Sequence, residues 1–525
     1  MPAERRAGTT PAAALLALLA GALQALSIAD PLTGQPHGWL QLASLALLVA
    51  LLQCGGRSVA APRRRAALLG WLFALAWLAG TFWWLYISMH TYGGLAAWLA
   101  VLAVLALAGL LALYYALACG VFAALCAHAG PASRPGWQAL LFATLWTLAE
   151  LARGRWFTGF PWGAGGYAHV DGVLAAWAPL LGVYGIGLLA AWLAALAALL
   201  LARRTRPGGV AALGAVLVLG WGLLKPLWLP ALGAGTGAPM EVALLQGNIP
   251  QDEKFVPGTG VADALRWYGA QWQANAATLV VAPETALPLL PGDLPPGYWE
   301  ALVARFAGGG QAALLGAPLG NAAEGYTNSA LGLAPGQDPP YRYDKQHLVP
   351  FGEFIPPLFR WFVRLMHIPL GDFNRGALGQ ASFAWQGQLL APNICYEDLF
   401  GEELAARFAD PAQAPTALVN LSNIAWFGDT VAIDQHLAIS RMRALEFARP
   451  VLRATNTGAT AIIDHQGQVT QRLPSATRGV LQGRFEGRRG ITPYAWWTAR
   501  AGLWPLWLGC LLVVGAAIVR DRRDE

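Results

Sequence analysis

Eight runs without a single Asp, Glu, Lys or Arg limit what this 525-residue chain can fold into more than any other feature. Seven lie before residue 225, at 11–28, 38–52, 66–88, 95–127, 137–149, 183–202 and 210–224, and the eighth lies at 501–519. A hydrocarbon layer about 30 Å thick is crossed by roughly 20 apolar residues of helix, because an unpaired backbone N–H or C=O finds no partner in lipid. The pattern predicts a polytopic α-helical membrane domain of about eight transmembrane helices. The run at 95–127 is long for one upright span and the run at 137–149 is short, which predicts tilt or an extended end there. Composition agrees. Apolar residues make up 56% of the chain and charged residues 12%, about half the roughly 25% of soluble proteins. That argues against an ordinary cytosolic enzyme.

Basic residues set the orientation. Counted on alternate sides of the runs, thirteen arginines fall on one side, against Arg153, Arg155, Lys225 and Arg500 on the other. The positive-inside rule then puts both termini in the cytoplasm and the segment between the seventh and eighth runs outside. The first run, preceded by Arg5 and Arg6, also fits a signal peptide, but its retention keeps the charge alternation intact. The net charge of +6 is spread over short clusters, which argues against nucleic-acid binding. Cysteines at 54, 119, 126, 395 and 510 show no CxxC spacing, so neither a disulfide framework nor a zinc site is expected.

Between residues 239 and 490 the composition changes to charges, Pro, Gly and polar turns around short apolar runs at 242–245, 278–282, 312–316, 387–390, 417–421 and 460–463. Such runs read as buried strands, and the stretches at 261–276, 297–306 and 430–448 read as helices. The expected organisation is a membrane domain over 1–238, a mixed α/β domain over 239–490 with helices covering sheets, and a closing membrane helix with a cytoplasmic tail over 491–525.

Three residues of the α/β domain stand where chemistry is plausible. Cys395, in Asn-Ile-Cys-Tyr-Glu-Asp, follows an apolar run and precedes a helix start, and a thiol exposed there becomes a nucleophile if a base takes its proton. Lys345 is one of only two lysines in this domain, with Lys254, and an ammonium near a thiol stabilises both thiolate and oxyanion. Glu284 closes the run Val-Val-Ala-Pro-Glu, at a strand end suited to a general base. On spacing alone each keeps a plainer reading: an inert buried thiol, a solvated loop lysine, a surface or capping carboxylate. His347, His367, His436 and His465 are scattered, and no HExxH, GxSxG, Walker or GxGxxG signature is present. No metal and no cofactor is expected.

In this order and context, Glu284, Lys345 and Cys395 resemble the Glu-Lys-Cys triad of the nitrilase superfamily. With seven apolar runs before it and one after, the chain resembles that superfamily's membrane-bound branch, the apolipoprotein N-acyltransferases. The strings Gln-Gly-Asn-Ile-Pro-Gln at 246–251, Pro-Glu-Thr-Ala at 283–286, Tyr-Asp-Lys-Gln-His-Leu-Val-Pro-Phe-Gly-Glu at 343–353, Ile-Cys-Tyr-Glu at 394–397 and Arg-Ala-Thr-Asn-Thr-Gly at 453–458 carry it. The resemblance implies an α/β nitrilase-like αββα sandwich in the periplasm of a bacterium, joined to its inner membrane. It implies supporting roles for Glu353, Tyr396 and Glu397. It implies acyl transfer from a phospholipid, through a thioester on Cys395, to the N-terminal amine of a diacylglyceryl-apolipoprotein. The enzyme is expected to act as a monomer without nucleic acid; a membrane-tethered amidase on a small C–N substrate, or a scaffold without catalysis, is the alternative.

Two positions depart from the family pattern. Phe255 stands where the family carries Trp, and Ile424, in Ser-Asn-Ile-Ala-Trp-Phe-Gly with Trp426, stands where it carries Asp. Phe255 and Trp426 are candidates for contact with an acyl chain. Within 153–163, Arg153 and Arg155 among aromatic residues read as interfacial anchors or as ligands of a phospholipid phosphate.

Overall fold

The computed structural model describes residues 9–53, 61–128, 135–203, 208–224, 233–356 and 372–524. Cys54, Lys225 and His367 lie outside the described residues. The chain forms two compact units, Met1–Trp83 with Trp98–Leu227 and Leu503–Glu525, and Trp84–Ala97 with Trp228–Gly502.

The helices of the first unit that carry the apolar runs, wholly or in part, are Pro11–Ile28, Gly38–Gln53, Ala61–Thr81, Ala97–His128, Pro135–Arg155, Ala178–Arg203, Gly209–Leu223 and Trp504–Asp524. Three described helices are long and apolar enough to cross a membrane, Pro11–Ile28, Ala97–Cys126 and Val173–Ala202, or up to five if two bent pairs each count as one span. Gly38–Gln53 and Gly209–Leu223 have 16 and 15 residues. At about 1.5 Å per residue they rise only about 24 and 22 Å, short of a full hydrocarbon layer. Helices approach closely through small residues: a Cβ on Gly21 would lie 2.0 Å from the carbonyl oxygen of Phe73. Trp77 stacks on Trp146 at 5.8 Å, and Tyr115 lies against both.

The run at 66–88 does not behave as one straight element. Its helix ends at Thr81, whose hydroxyl donates to the carbonyl of Trp77 at 2.8 Å, a bond that competes with the helix and bends it. The segment Trp84–Ala97 belongs to the second unit.

The second unit holds two six-stranded sheets. The first comprises β1 (Met240–Gln246), β2 (Leu279–Val281), β3 (Ala312–Asn321), β4 (Gly325–Leu333), β5 (Tyr341–Asp344) and β12 (Gly479–Phe485), in the order β12-β1-β2-β3-β4-β5. The second comprises β6 (Phe383–Trp385), β7 (Gln388–Ile394), β8 (Ala417–Ser422), β9 (Val451–Thr455), β10 (Ala461–Ile463) and β11 (Val469–Arg472), in the order β11-β10-β9-β8-β7-β6. The central strands are parallel, β1 with β2 and β3, and β7 with β8 and β9. Alternate residues divide between the two faces, as the period of two requires. Val242, Leu244, Val281 and Leu314 meet Leu390, Ile394, Val419 and Leu452 between the sheets. Leu245, Val280, Ala313 and Leu315 pack outward on Leu265, Trp272 and Phe306 of the helices Ala262–Ala274 and Tyr298–Ala307. The helix Ala432–Phe447 packs against the second sheet at β9. This is the four-layer α/β arrangement expected.

Candidate active site

Parallel strands end on one side of a sheet, and the loops leaving those ends form a crevice. Cys395 directly follows β7, Asn423 directly follows β8, Lys345 directly follows β5, and Glu284 comes three residues after β2. The turn at Glu284 presses on β3, because Gly316 lacks a side chain. A Cβ there would stand 2.6 Å from the Glu284 Cα.

The structure brings Glu284, Lys345 and Glu353 together. Lys345 Nζ lies 3.3 Å from Glu284 Oε1 and 2.9 Å from Glu353 Oε1. Asn328 Nδ2 donates to both carboxylates at 2.7 Å. The second oxygen of Glu284 accepts from the backbone N–H of Asn423 at 2.9 Å, and that of Glu353 from Val349 N–H at 2.8 Å. Lys345 is 1% exposed. Burial opposes its charge, but the carboxylates of Glu284 and Glu353 outweigh burial and hold the amine above the usual lysine range. Lys345 therefore stays an ammonium, a fixed positive charge rather than a proton carrier.

Cys395 has φ of 52°, a left-handed backbone that costs a non-glycine residue about 1–3 kcal/mol and often marks a functional site. Among the described cysteines, Cys119 and Cys510 are buried, and Cys126 and Cys395 are half-buried. Burial, with the negative charge of Glu284, pushes its thiol up to about 12, against the pull of Lys345. A shift in this direction favours the thiol over the thiolate, the form that a neighbouring base would have to deprotonate.

Glu397 ties the lysine loop to the cysteine strand. One oxygen accepts from Tyr343 Oη at 2.8 Å and from the N–H groups of Gln346 at 2.7 Å and His347 at 3.2 Å; the other accepts from Ile394 N–H at 2.6 Å. Tyr396 is buried and packs edge-on against Phe400, with ring centroids 5.3 Å apart. Phe255 is 46% exposed. Trp426 is half-buried, with the Tyr92 ring edge-on at 5.7 Å.

Arg153, expected as an interfacial anchor or a phosphate ligand, has its guanidinium enclosed within the first unit. Arg153 is 0% exposed. Its Nε donates to Tyr115 Oη at 2.9 Å, and its Nη1 donates to the carbonyls of Phe160 at 2.6 Å and Trp162 at 2.8 Å. It clamps its own loop. Arg155, two residues on, is exposed.

Some contributors were not singled out from the sequence. Lys254 is 2% exposed, and its Nζ donates to the backbone carbonyl of Glu284 at 3.1 Å. Burial lowers its amine to about 8, although Glu284 and Cys395 favour its charge. The scarcity of lysine in this domain was its one signal. The segment Trp84–Ala97 was hidden inside apolar runs. Trp84 is buried, donates from Nε1 to Gln435 Oε1 at 3.1 Å and lies on Phe427 at 4.2 Å.

A family model for the apolipoprotein N-acyltransferase N-terminal domain matches residues 20–196, and one for carbon-nitrogen hydrolases matches 241–488. The chain is 59% identical over 509 residues to an apolipoprotein N-acyltransferase of Verminephrobacter eiseniae, covering 93% of this chain and 92% of that protein. It is 47% identical over 516 residues to the Ralstonia nicotianae apolipoprotein N-acyltransferase, with 97% and 94% covered. Among solved structures, an amidase of the nitrilase superfamily from Nesterenkonia is 18% identical, with 53% of this chain and 99% of that one covered at a TM-score of 0.36. Full-length identity at this level, with both family models matched in order, settles the family: the chain belongs to the apolipoprotein N-acyltransferases.

Proposed function

We propose that this membrane enzyme N-acylates lipoproteins by a two-step, ping-pong transfer. What supports the mechanism is a half-buried Cys395 thiol within Coulomb range of the Lys345–Glu284 ion pair. Glu284 takes the thiol proton, and the sulfur attacks an ester carbonyl of a phospholipid. Lys345 balances the negative charge that develops on the carbonyl oxygen. The C–O bond breaks, the proton passes from Glu284 to the leaving lysophospholipid oxygen, and the acyl group stays on Cys395 as a thioester. The α-amino group of a diacylglyceryl-cysteine at an apolipoprotein N-terminus then attacks. Glu284 takes the proton lost by that amine, and the thiol is regenerated. A thioester divides one difficult aminolysis into two easier steps.

Glu353 shares the Lys345 charge, Glu397 joins the lysine loop to the cysteine strand, and Tyr396, next in sequence to Cys395, packs its ring on His347 and Phe400. Phe255 and Trp426 offer ring surface to acyl chains, and Arg155 offers a charge to a lipid phosphate. Each buried CH₂ is worth about 0.8 kcal/mol, so drawing a long acyl chain into water is prohibitive and the chemistry has to sit at the lipid. We place the catalytic unit on the periplasmic face of the inner membrane, with the eight apolar helices serving as its anchor and the enzyme working as a monomer.

Purified enzyme given labelled phospholipid and a diacylglyceryl peptide tests the reading. The account expects one acyl group on the peptide's N-terminal amine and parallel double-reciprocal lines as the two substrates are varied. Intersecting lines would rule out the free acyl-enzyme, and release of ammonia from small amides without acyl transfer would favour the amidase.

A further inference from the structure

The carbonyl oxygen of Cys395 ends a buried chain of hydrogen bonds that the reaction above does not use. It accepts from His436 Nε2 at 3.2 Å and from Asn420 Nδ2 at 3.4 Å. On the other side of the imidazole, Arg453 Nη2 donates to His436 Nδ1 at 2.8 Å. Arg453 also donates from Nη1 to Ser440 Oγ at 2.7 Å and to Asn420 Oδ1 at 3.2 Å, and lies 3.6 Å from Asp398 Oδ2. Ser440 Oγ donates in turn to Asp398 Oδ2. His436 is 1% exposed, and Arg453, Asp398, Ser440 and Asn420 are 0% exposed.

The chain of donors has one direction. A guanidinium donates and cannot accept, so Nδ1 of His436 must present its lone pair. The proton of the neutral ring is then on Nε2, where it points at the cysteine carbonyl. A buried cation thus sets a tautomer, and the tautomer grips the one residue of the site whose nucleophilic side chain hangs from a left-handed backbone, φ of 52°. Strain of that kind persists only where the surroundings over-determine it.

We propose that His436, oriented by Arg453 and Asp398, is a positioning residue that holds the backbone of Cys395 and so aims its sulfur at the acyl carbonyl. The inference rests on reading Cys395 as the nucleophile. Burial, and then the charge of Arg453, keep the imidazole well below the usual histidine range. The other groups facing it are Lys345, whose charge acts in the same direction, and Asp398, whose Oδ2 lies 3.9 Å from Nε2.

The test compares His436→Phe and His436→Gln in the full-length enzyme with vesicles of phosphatidylethanolamine and phosphatidylglycerol, scoring acyl-thioester formation per folded molecule. Phe keeps the ring without a donor, and Gln restores an N–H near the position of Nε2. His436→Phe should lower kcat for acylation about 100-fold, the scale of a misaimed reacting group, with the lipid KM within about twofold. His436→Gln should recover to within about tenfold of the parent. A folded His436→Phe that acylates at the parental rate, or a His436→Gln no faster than it, would overturn the proposal. Should His436→Phe not fold, ¹⁵N NMR of the parent decides: a neutral His436 with its proton on Nε2 from about pH 5 to 8 is expected, and a proton on Nδ1 or a titration in that window would contradict it. Acylation of a Cys395→Ala enzyme would remove the underlying reading instead, so the two failures are distinguishable.

Discussion

Both compact units bury cations, and Arg153 of the first and Lys345 of the second sit in different surroundings. In the membrane unit, Arg153 is sealed from solvent, and its donors close on a tyrosine hydroxyl and two backbone carbonyls of the loop that follows its helix. In the second unit, Lys345 is as deeply buried but is held between two carboxylates, Glu284 and Glu353, both within Coulomb range of the half-buried Cys395 thiol. Burial of a charge is common to both. What separates a clamp from a catalytic group is whether a reactive atom and an access route lie beside it, because a buried charge stabilises whatever charge next develops in its low-dielectric surroundings.

The contrast can be broken by mutation, and the largest effects belong to the catalytic side. Cys395→Ala should abolish transfer, and Glu284→Gln should lower it by at least about 1,000-fold, measured as acylated peptide per folded enzyme. The same Glu284→Gln should ionise its thiol at lower pH, because the carboxylate charge that pushes Cys395 up is gone. Alkylation by iodoacetamide at fixed pH should therefore be faster than in the parent, and a slower rate would sever the link between the two groups.

Lys345→Met should cost about 100-fold or more in kcat. Arg153→Met should leave kcat and lipid KM per folded molecule within about twofold, yet lower stability by about 3 kcal/mol through its lost charged hydrogen bonds. Thermal unfolding alongside steady-state kinetics separates the two. An Arg153 variant with full stability and a raised lipid KM would return that residue to the lipid site.

How much of this was legible depends on how local each signal is. Glu284, Lys345 and Cys395 each stand in a distinctive string, and β1, β3 and β8 are built around the apolar stretches 242–245, 312–316 and 417–419. β11, by contrast, is Val-Thr-Gln-Arg with three exposed residues, and β9 carries the buried Arg453 in its middle, so neither shows a buried-strand pattern. Asn328 and His436 were invisible as site residues for a different reason. Their partners lie 44 and 41 positions away in sequence, and only folding brings them together. The surroundings of Arg153 were not legible, because an arginine among aromatic residues has one composition whether it faces lipid headgroups or its own loop. The turn of Trp84–Ala97 into the catalytic unit was masked by its hydrophobicity, which membrane and core share.

Smaller effects sharpen the comparison. Arg155→Glu, at an exposed position, should raise the phospholipid KM about fivefold with kcat unchanged, in keeping with the modest worth of a screened ion pair; an unchanged KM would leave Arg155 as an anchor. Lys254 offers a pH test. Burial lowers its amine to about 8 in the folded protein from the ordinary lysine value of 10.5. Between those values the unfolded chain binds the extra proton, so folding should strengthen as pH rises through this window. From pH 8 to 9, the parent should gain about 1 kcal/mol relative to Lys254→Met in denaturant unfolding. Equal slopes would mean that Lys254 is not desolvated as the structure has it.

The central claim is a covalent bond to one sulfur, and intact-protein mass spectrometry reads it directly. Enzyme incubated with a single phospholipid of known chains and no acceptor should gain the mass of one acyl group. That mass should be located on Cys395 by peptide mapping, removed by neutral hydroxylamine, and absent in Cys395→Ala. Transfer to an acceptor peptide while Cys395 stays unmodified at every time point, or the same acyl mass on the alanine variant, would contradict the account.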